Sequence, residues 1–442
     1  MKLLKNMLTP PICAISVALL CATLFAEETI TIDNVRQRTP WNGLVDIDYT
    51  IAGVTGDPND YQIEFTMTVG SKSFVASNFW DAAWCDHATA NGKQRATWNA
   101  RADGIAEKTD VDVKARIIYA PVTDVDAEFA IVDLSSGSDS DCYPVRYVVG
   151  DTNRTAHFNI NAYKLKKLVL KKVHAGEFWM GTGDVSSGKS RHRVRLTKDY
   201  WLGLFEVTRG QYWSVLPRDT MQVTTARYQY RPFTAADWDT VPISFVSWDG
   251  VRDSNGFLAK LNARARCRAQ TVGLFSLPTE AQWEYACRAG TETKYFTGNS
   301  TNELAAYASM RFTWKFNIHG NFLPAEDPDA NLLESETPYR NYMVGSFLPN
   351  PWGFYDVYGN VGEWVNDYYD GYPAYSETDV TEDPVGPELA DNIISRGGCM
   401  WAGEDLCSSG YRLQNTKTGS NYNGYGNKYG SLFGFRLAGA LK

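Results

Sequence analysis

Leu277-Pro-Thr-Glu-Ala-Gln-Trp-Glu-Tyr-Ala-Cys-Arg-Ala-Gly290 reads as a short helix with both ends specified. Thr279 stands three residues before Gln282, the spacing of a capping box, so a hydroxyl and an amide satisfy backbone donors at the helix start. Pro278 precedes that start, and Gly290 supplies a left-handed stop. Trp283, Ala286 and Cys287 fall near one face, which the helix is expected to bury.

Other strings lie in a fixed order around this helix. Gly176-Glu-Phe-Trp-Met-Gly181, His192-Arg-Val-Arg-Leu196, Glu206-Val-Thr-Arg-Gly-Gln-Tyr212 and Pro242-Ile-Ser-Phe-Val-Ser-Trp248 precede it. Tyr355-Asp-Val-Tyr-Gly-Asn-Val-Gly-Glu-Trp364, Arg396-Gly-Gly398 and Gly434-Phe-Arg436 follow it. From about residue 165 to 442, this series resembles the formylglycine-generating enzyme family, also called sulfatase-modifying factors. The resemblance implies an α+β, C-type-lectin-like fold with little regular secondary structure. It also implies a copper-dependent oxidase that converts a cysteine of a nascent sulfatase to formylglycine, using Cu(I) held by two thiolates and oxygen. Soft thiolates suit Cu(I), and the deprotonated sulfur is the form that binds and reacts.

The chain departs from the family pattern where that chemistry would sit. The family carries a Cys-x4-Cys pair after the Gly-Gly turn, whereas here Cys399 and Cys407 are the available sulfurs. Counting forward from Gly398 places Ala402 and Cys407 at the pair. Counting back from Arg412-Leu-Gln-Asn415 places Cys399 and Glu404 there, so the pair is incomplete either way. The resemblance also implies a bridge from the Trp-Glu-Tyr helix to this turn, Cys287 to Cys407, leaving Cys267 and Cys399 bridged or as thiols. It further implies calcium at Asn360, Val361, Gly362 and Glu363, where side-chain and carbonyl oxygens suit a hard cation. A second calcium position falls on Ala308-Ser309, which lacks the family's amide oxygen.

Residues 1–26 have the pattern of a secretory signal: Lys2 and Lys5, an apolar run from Ile12 to Leu20, and Ala26 before two glutamates. The run is too short for a membrane span and is preceded by Pro10 and Pro11. An exported protein, secreted, periplasmic or at the cell surface, is expected. Six cysteines remain after the signal, an even number that favours disulfides in such a compartment. The formal net charge of −8 argues against nucleic acid as a partner. Fourteen tryptophans and 25 tyrosines can line a sugar or peptide groove or fill a core.

Between residues 27 and 162 the pattern is that of an all-β sandwich, immunoglobulin-like or fibronectin-like. Val45, Ile47, Tyr49 and Ile51 alternate with polar residues, as do Tyr61 to Val69 and Val111 to Tyr119. Cys85 and Cys142 are the only cysteines in this stretch and are expected to pair. The Ser135–Asp141 loop is polar and acidic, and reads as solvated. Lysines alternating with Leu165, Leu168 and Leu170 predict an edge strand leading into a second module, residues 163–442. There, Thr208 and Gln211 predict a second capping box, while Trp248, Val251, Leu258 and Leu261 predict one amphipathic helix.

The chain lacks a His-Glu-x-x-His motif, a phosphate-cradling glycine loop and a Gly-x-Ser-x-Gly elbow. His87, His157, His174, His192 and His319 show no metal-ligand spacing, and His192 is expected to be packed. The leading functional expectation is an exported binding module for a peptide, protein or glycan that keeps the family fold without oxidation. The alternative is an active oxidase working through Cys399 and Cys407, and a third reading is a structural accessory.

Overall fold

The computed structural model describes residues 28–54, 61–80, 87–119, 126–149, 154–182, 191–218, 238–265, 274–310, 341–369, 371, 379–400, 402–417 and 432–441. The expected signal at residues 1–26 lies outside them, as do Cys85 and Cys267. None of the described helices is long and apolar enough to cross a membrane.

The N-terminal alternation forms strands with one face inward. β1 (Thr29–Gln37), β2 (Leu44–Ala52) and β5 (Gly92–Asn99) make one antiparallel sheet in the order β1-β2-β5. β3 (Tyr61–Val69), β4 (Lys72–Val75) and β6 (Val111–Tyr119) make another in the order β4-β3-β6. Val45, Ile47 and Tyr49 from the first meet Ile63, Phe65 and Met67 from the second in one apolar cluster. That is a sandwich, as period-two patterning requires when one face of each sheet is buried.

The sandwich ends earlier than residue 162. β7 (Phe129–Asp133) and β8 (Val145–Val148) join a sheet of the second module with β9 (Lys167–Val173), β12 (Tyr200–Gly203), β13 (Phe275–Ser276) and β19 (Ala438–Ala440). Its order is β13-β19-β12-β9-β7-β8. Phe129, Ile131, Val132 and Val145 accordingly lie in the second module's cores, not in that of the sandwich. Period-two alternation continues through this region, so the sequence gives no sign of the change of sheet. Cys142 lies in the loop between β7 and β8. Its neighbour Tyr143 donates its N–H to Arg264 O at 3.0 Å, and Arg264 donates back to the Tyr143 hydroxyl at 2.8 Å. The loop is thus fixed to the second module, and Cys142 is not a free thiol.

β9 is interior, not an edge strand. It lies between β7 and β12, and α1 (Asn161–Lys166) precedes it. Its lysines are accommodated individually: Lys171 Nζ donates to Trp352 O at 2.6 Å, and Lys172 lies over the Trp201 ring. The predicted helix from Trp248 is two helices, α3 (Trp248–Arg252) and α4 (Phe257–Ala265). Gly256 breaks it: a Cβ there would come 2.6 Å from Gly250 O, so the chain makes a close turn that only glycine fits.

Both capping boxes are present, at Thr208/Gln211 opening α2 (Arg209–Val215) and at Thr279/Gln282 opening α5 (Glu280–Arg288). The left-handed stop of α5 begins one residue early, at Ala289 (φ 48°), and continues through Gly290 (φ 87°). The fold is α+β behind an all-β N-terminal region, as expected.

The remaining strands position the site. β10 (Gly176–Met180), β11 (His192–Leu196) and β15 (Val380–Glu382) form one sheet, and His192 is buried in it. β14 (Gly362–Tyr368), β16 (Asn392–Arg396), β17 (Leu413–Thr416) and β18 (Phe433–Gly434) form another, ordered β17-β16-β14-β18.

Candidate functional site

Two turns meet at the ends of β14 and β16. Gly359 (φ 76°) and Asn360 (φ 56°) lead into β14, while Gly397 (φ 84°) and Gly398 (φ 71°) leave β16. Gly359 N–H donates to Gly397 O at 2.8 Å and Met400 N–H donates to Asn360 O at 3.1 Å, so the turns are stitched together. A Cβ on Gly398 would lie 2.5 Å from Cys407 Sγ and 3.0 Å from Leu406 O. The Cys407 sulfur therefore packs directly on the bare glycine backbone, at the end of a 3-10 turn over Glu404–Cys407.

Cys399 and Cys407, which the two counts placed at the pair separately and never together, are neighbours here. Cys407 is fully buried and Cys399 is half-buried against the same apolar cluster. Burial pushes the Cys407 thiol well up, the charge of Cys399 adds to this, and the backbone N–H groups of Gly359 and Cys399 oppose it. Ala402, the other candidate for the first position, is buried and carries no donor beyond its backbone. Glu404 lies close enough to raise the Cys407 thiol further.

The expected Cys287–Cys407 bridge is not formed. Among the described residues, Cys287, Cys399 and Cys407 are all thiols. Cys287 is buried beside Tyr358 and Ser409, which offer it hydrogen bonds; burial nonetheless pushes its thiol up to about 12. The Tyr358 and Ser409 hydroxyls lie 2.6 Å apart, and Phe296 N–H donates to the Tyr358 hydroxyl at 2.9 Å. A serine thus stands where a bridging cysteine would meet the α5 sulfur, and Cys407 lies elsewhere.

At the stretch expected to bind calcium, the side-chain oxygens already have protein partners. Asn360 Oδ1 accepts from Tyr342 N–H at 3.0 Å, and Asn360 Nδ2 donates to Glu206 at 2.7 Å. Val361 N–H also donates to Glu206, at 3.1 Å, and Gly362 N–H donates to Leu432 O. Both oxygens of Glu363 are taken by Arg436, at 2.6 Å each, and one also accepts from Trp283 Nε1 at 2.7 Å. Asn360 and Glu363 are buried, and their side-chain oxygens are committed to protein donors, so these two side chains are not free to hold calcium in this arrangement. Among the described residues, no group of three or more His, Cys, Asp or Glu side chains is arranged to hold a metal.

What occupies this region is a buried charge network. Glu206, Asp356 and Glu363 surround Arg436, with Lys164 near Asp356. Burial, then the neighbouring carboxylates Asp356 and Glu363, push Glu206 well above the usual carboxylate range. Burial pushes Asp356 up to about 6 and Lys164 down to about 8. A second network links Glu284, Arg288 and Arg396, and Arg396 also donates to Ser409 O at 2.9 Å. Reading of the sequence missed both networks as networks. Their signal was a charge set among apolar neighbours, as in Leu204-Phe-Glu206-Val and Phe435-Arg436-Leu.

Among the described residues, Trp98, Trp201, Trp248, Trp283 and Trp364 are buried and cannot line a groove. One partly exposed group of rings carries cations. Tyr368, Tyr369 and Tyr411 are half-buried beside Arg412 and Lys417, which lie over the Tyr369 and Tyr368 rings at 5.3 and 4.9 Å. The exposed Arg252 stacks on Trp248 at 3.8 Å, and that ring contacts Tyr368.

Residues 161–441 match the model of the "Sulfatase-modifying factor enzyme 1-like domain". The formylglycine-generating enzyme of Bos taurus is 26% identical over 57% of this chain and 65% of its own length. That of Thermomonospora curvata is 32% identical over 31% of this chain and 42% of its own. A protein of Chlamydia pneumoniae called serine/threonine-protein kinase pkn1 is 31% identical over 37% of this chain and 20% of its own. The chain thus spans less than two thirds of the length of these relatives. Among solved structures, Treponema denticola variable protein 1 aligns with a TM-score of 0.44 at 23% identity, over 62% of this chain and 95% of that one.

Proposed function

Because this chain belongs to the sulfatase-modifying factor family, whose named members include formylglycine-generating enzymes, we propose that it keeps the family fold as an exported binding module for a peptide or glycan. The observation that carries this reading is the state of Cys407. Its sulfur is fully buried against the Gly398 backbone, with the Gly359 and Cys399 N–H groups aimed at it. A copper pair needs two thiolates open to one metal, and this donor set does not fit that requirement.

Support for binding comes from the Tyr368–Tyr369–Tyr411 corner. Flat rings edged by Arg252 and Lys417 suit an anionic glycan or an acidic peptide, through stacking and charge together. Export is supported by the signal-like residues 1–26. The family's oxidase activity is the second reading, favoured by the meeting of Cys399 with Cys407.

Glycan and peptide arrays test the binding reading. The protein is expected to bind acidic members, and the Arg252→Ala/Lys417→Ala variant to bind them roughly tenfold more weakly, about the loss of two exposed ion pairs to the ligand. Flat arrays with folded protein, or binding indifferent to the variant, would remove this corner from the account.

A further inference from the structure

In the six-stranded sheet, β9 lies between β7 and β12 and runs antiparallel to both, so its end meets the starts of its two neighbours. Three polar side chains gather there: Glu128 just before β7, His174 just after β9, and Asp199 just before β12. The sheet fixes their backbones. Lys172 N–H donates to Glu128 O at 3.0 Å, and Glu128 N–H donates to Val148 O at 2.8 Å. Asp199 is held as well, because one of its oxygens accepts Ala175 N–H at 2.8 Å.

The exposed imidazole of His174 stands between the two carboxylates. Its Nδ1 is 3.0 Å from the second Asp199 oxygen, a hydrogen bond that keeps the proton of the neutral ring on Nδ1 and leaves the lone pair on Nε2. Nε2 is 3.8 Å from Glu128 Oε2, too far for a hydrogen bond. That oxygen is buried, and no hydrogen-bond donor among the described residues reaches it. Two acceptor atoms are thus neighbours, an arrangement that a shared cation stabilises. Zinc bonds nitrogen and oxygen at about 2.0–2.2 Å, which at the tetrahedral angle sets the two atoms roughly 3.4 Å apart. A small shift of an exposed ring reaches that separation.

We propose that His174 Nε2 and Glu128 Oε2 form a surface site for a divalent transition cation of the zinc class, with Asp199 orienting the ring and water completing the coordination. A nitrogen–oxygen donor pair favours such an ion over magnesium, which takes oxygen ligands. The Asp199–His174 bond is the carboxylate–histidine arrangement that fixes the ring tautomer at metal centres. Two side chains on the ion are fewer than a closed structural centre uses, and the Lys172 ammonium offsets part of the charge of Asp199, so the ion exchanges with solution. A bound ion ties the start of β7 to the turn between β9 and β10. The site uses none of the residues of the binding reading and stands or falls without it.

Isothermal titration of the chelator-treated full chain with zinc chloride tests the site. His174→Ala and Glu128→Gln, checked for folding by circular dichroism, are each expected to abolish one bound equivalent. Asp199→Asn is expected to weaken that equivalent about tenfold, as loss of a ring-orienting partner does. Zinc is expected to raise the melting temperature of the parent but not of His174→Ala, and magnesium to give neither effect. No zinc bound by the folded parent, zinc bound equally by the parent and either ligand variant, or magnesium bound as tightly as zinc would each overturn the proposal. Parental affinity in Asp199→Asn would overturn the orienting role.

Discussion

Arg436→Ala is expected to destabilise the second module by about 3–5 kcal/mol, the cost of leaving a buried carboxylate without its partner. Arg436 is fully buried and forks onto Glu363, while its other donors reach Gly203 O at 3.1 Å and Tyr355 O at 2.9 Å. Removing it strands Glu363 beside Glu206 and Asp356, with only Lys164 left as a nearby cation. Equilibrium urea unfolding followed by tryptophan fluorescence measures the loss. The double variant Arg436→Met/Glu363→Gln is expected to recover much of it, because the stranded charge is then gone. Equal losses in the two variants would mean that lost packing, not charge, sets the cost.

Gly359→Ala is expected to cost about 2–5 kcal/mol, combining left-handed strain with overpacking. A Cβ there would fall 1.9 Å from Ser309 O, the atom that also accepts from Asn360 N–H at 2.8 Å. The bridge between Ser309 and Gly359 would have to open. Gly290→Ala provides the comparison: its φ is 87° but a Cβ would meet nothing within 4 Å. It should lose only about 1–2 kcal/mol, the strain alone. Similar losses at both positions would show that the contact with Ser309 is soft.

These two positions show what the sequence could and could not reveal. Local signals were legible because they depend on neighbours in the chain: both capping boxes, the Gly290 stop and the inward residues of β2 and β3 form as read. Signals that depend on distant partners were not. Lys171 and Lys172 suggested an edge strand because nothing nearby in sequence announces Trp352 O or the Trp201 ring. Glu363 suggested calcium because its true partner lies 73 residues on, in Arg436. The Cys287 bridge failed for a similar reason: the residue opposite that sulfur is Ser409, two positions from the nearest cysteine.

Family resemblance identified the fold and the place where chemistry would occur. It could not say which sulfur is enclosed. That depends on Gly398, whose lack of a side chain lets Cys407 pack against the backbone and lose contact with solvent.

The proposal at the centre of this account is that the chain keeps the family fold without copper chemistry. The most direct measurement incubates the full-length protein with Cu(I), oxygen and a peptide containing Cys-x-Pro-x-Arg, and follows the peptide by mass spectrometry. The account predicts that the peptide cysteine stays a thiol or forms only disulfides. Repeated turnover to the aldehyde, abolished by Cys407→Ser, would contradict it.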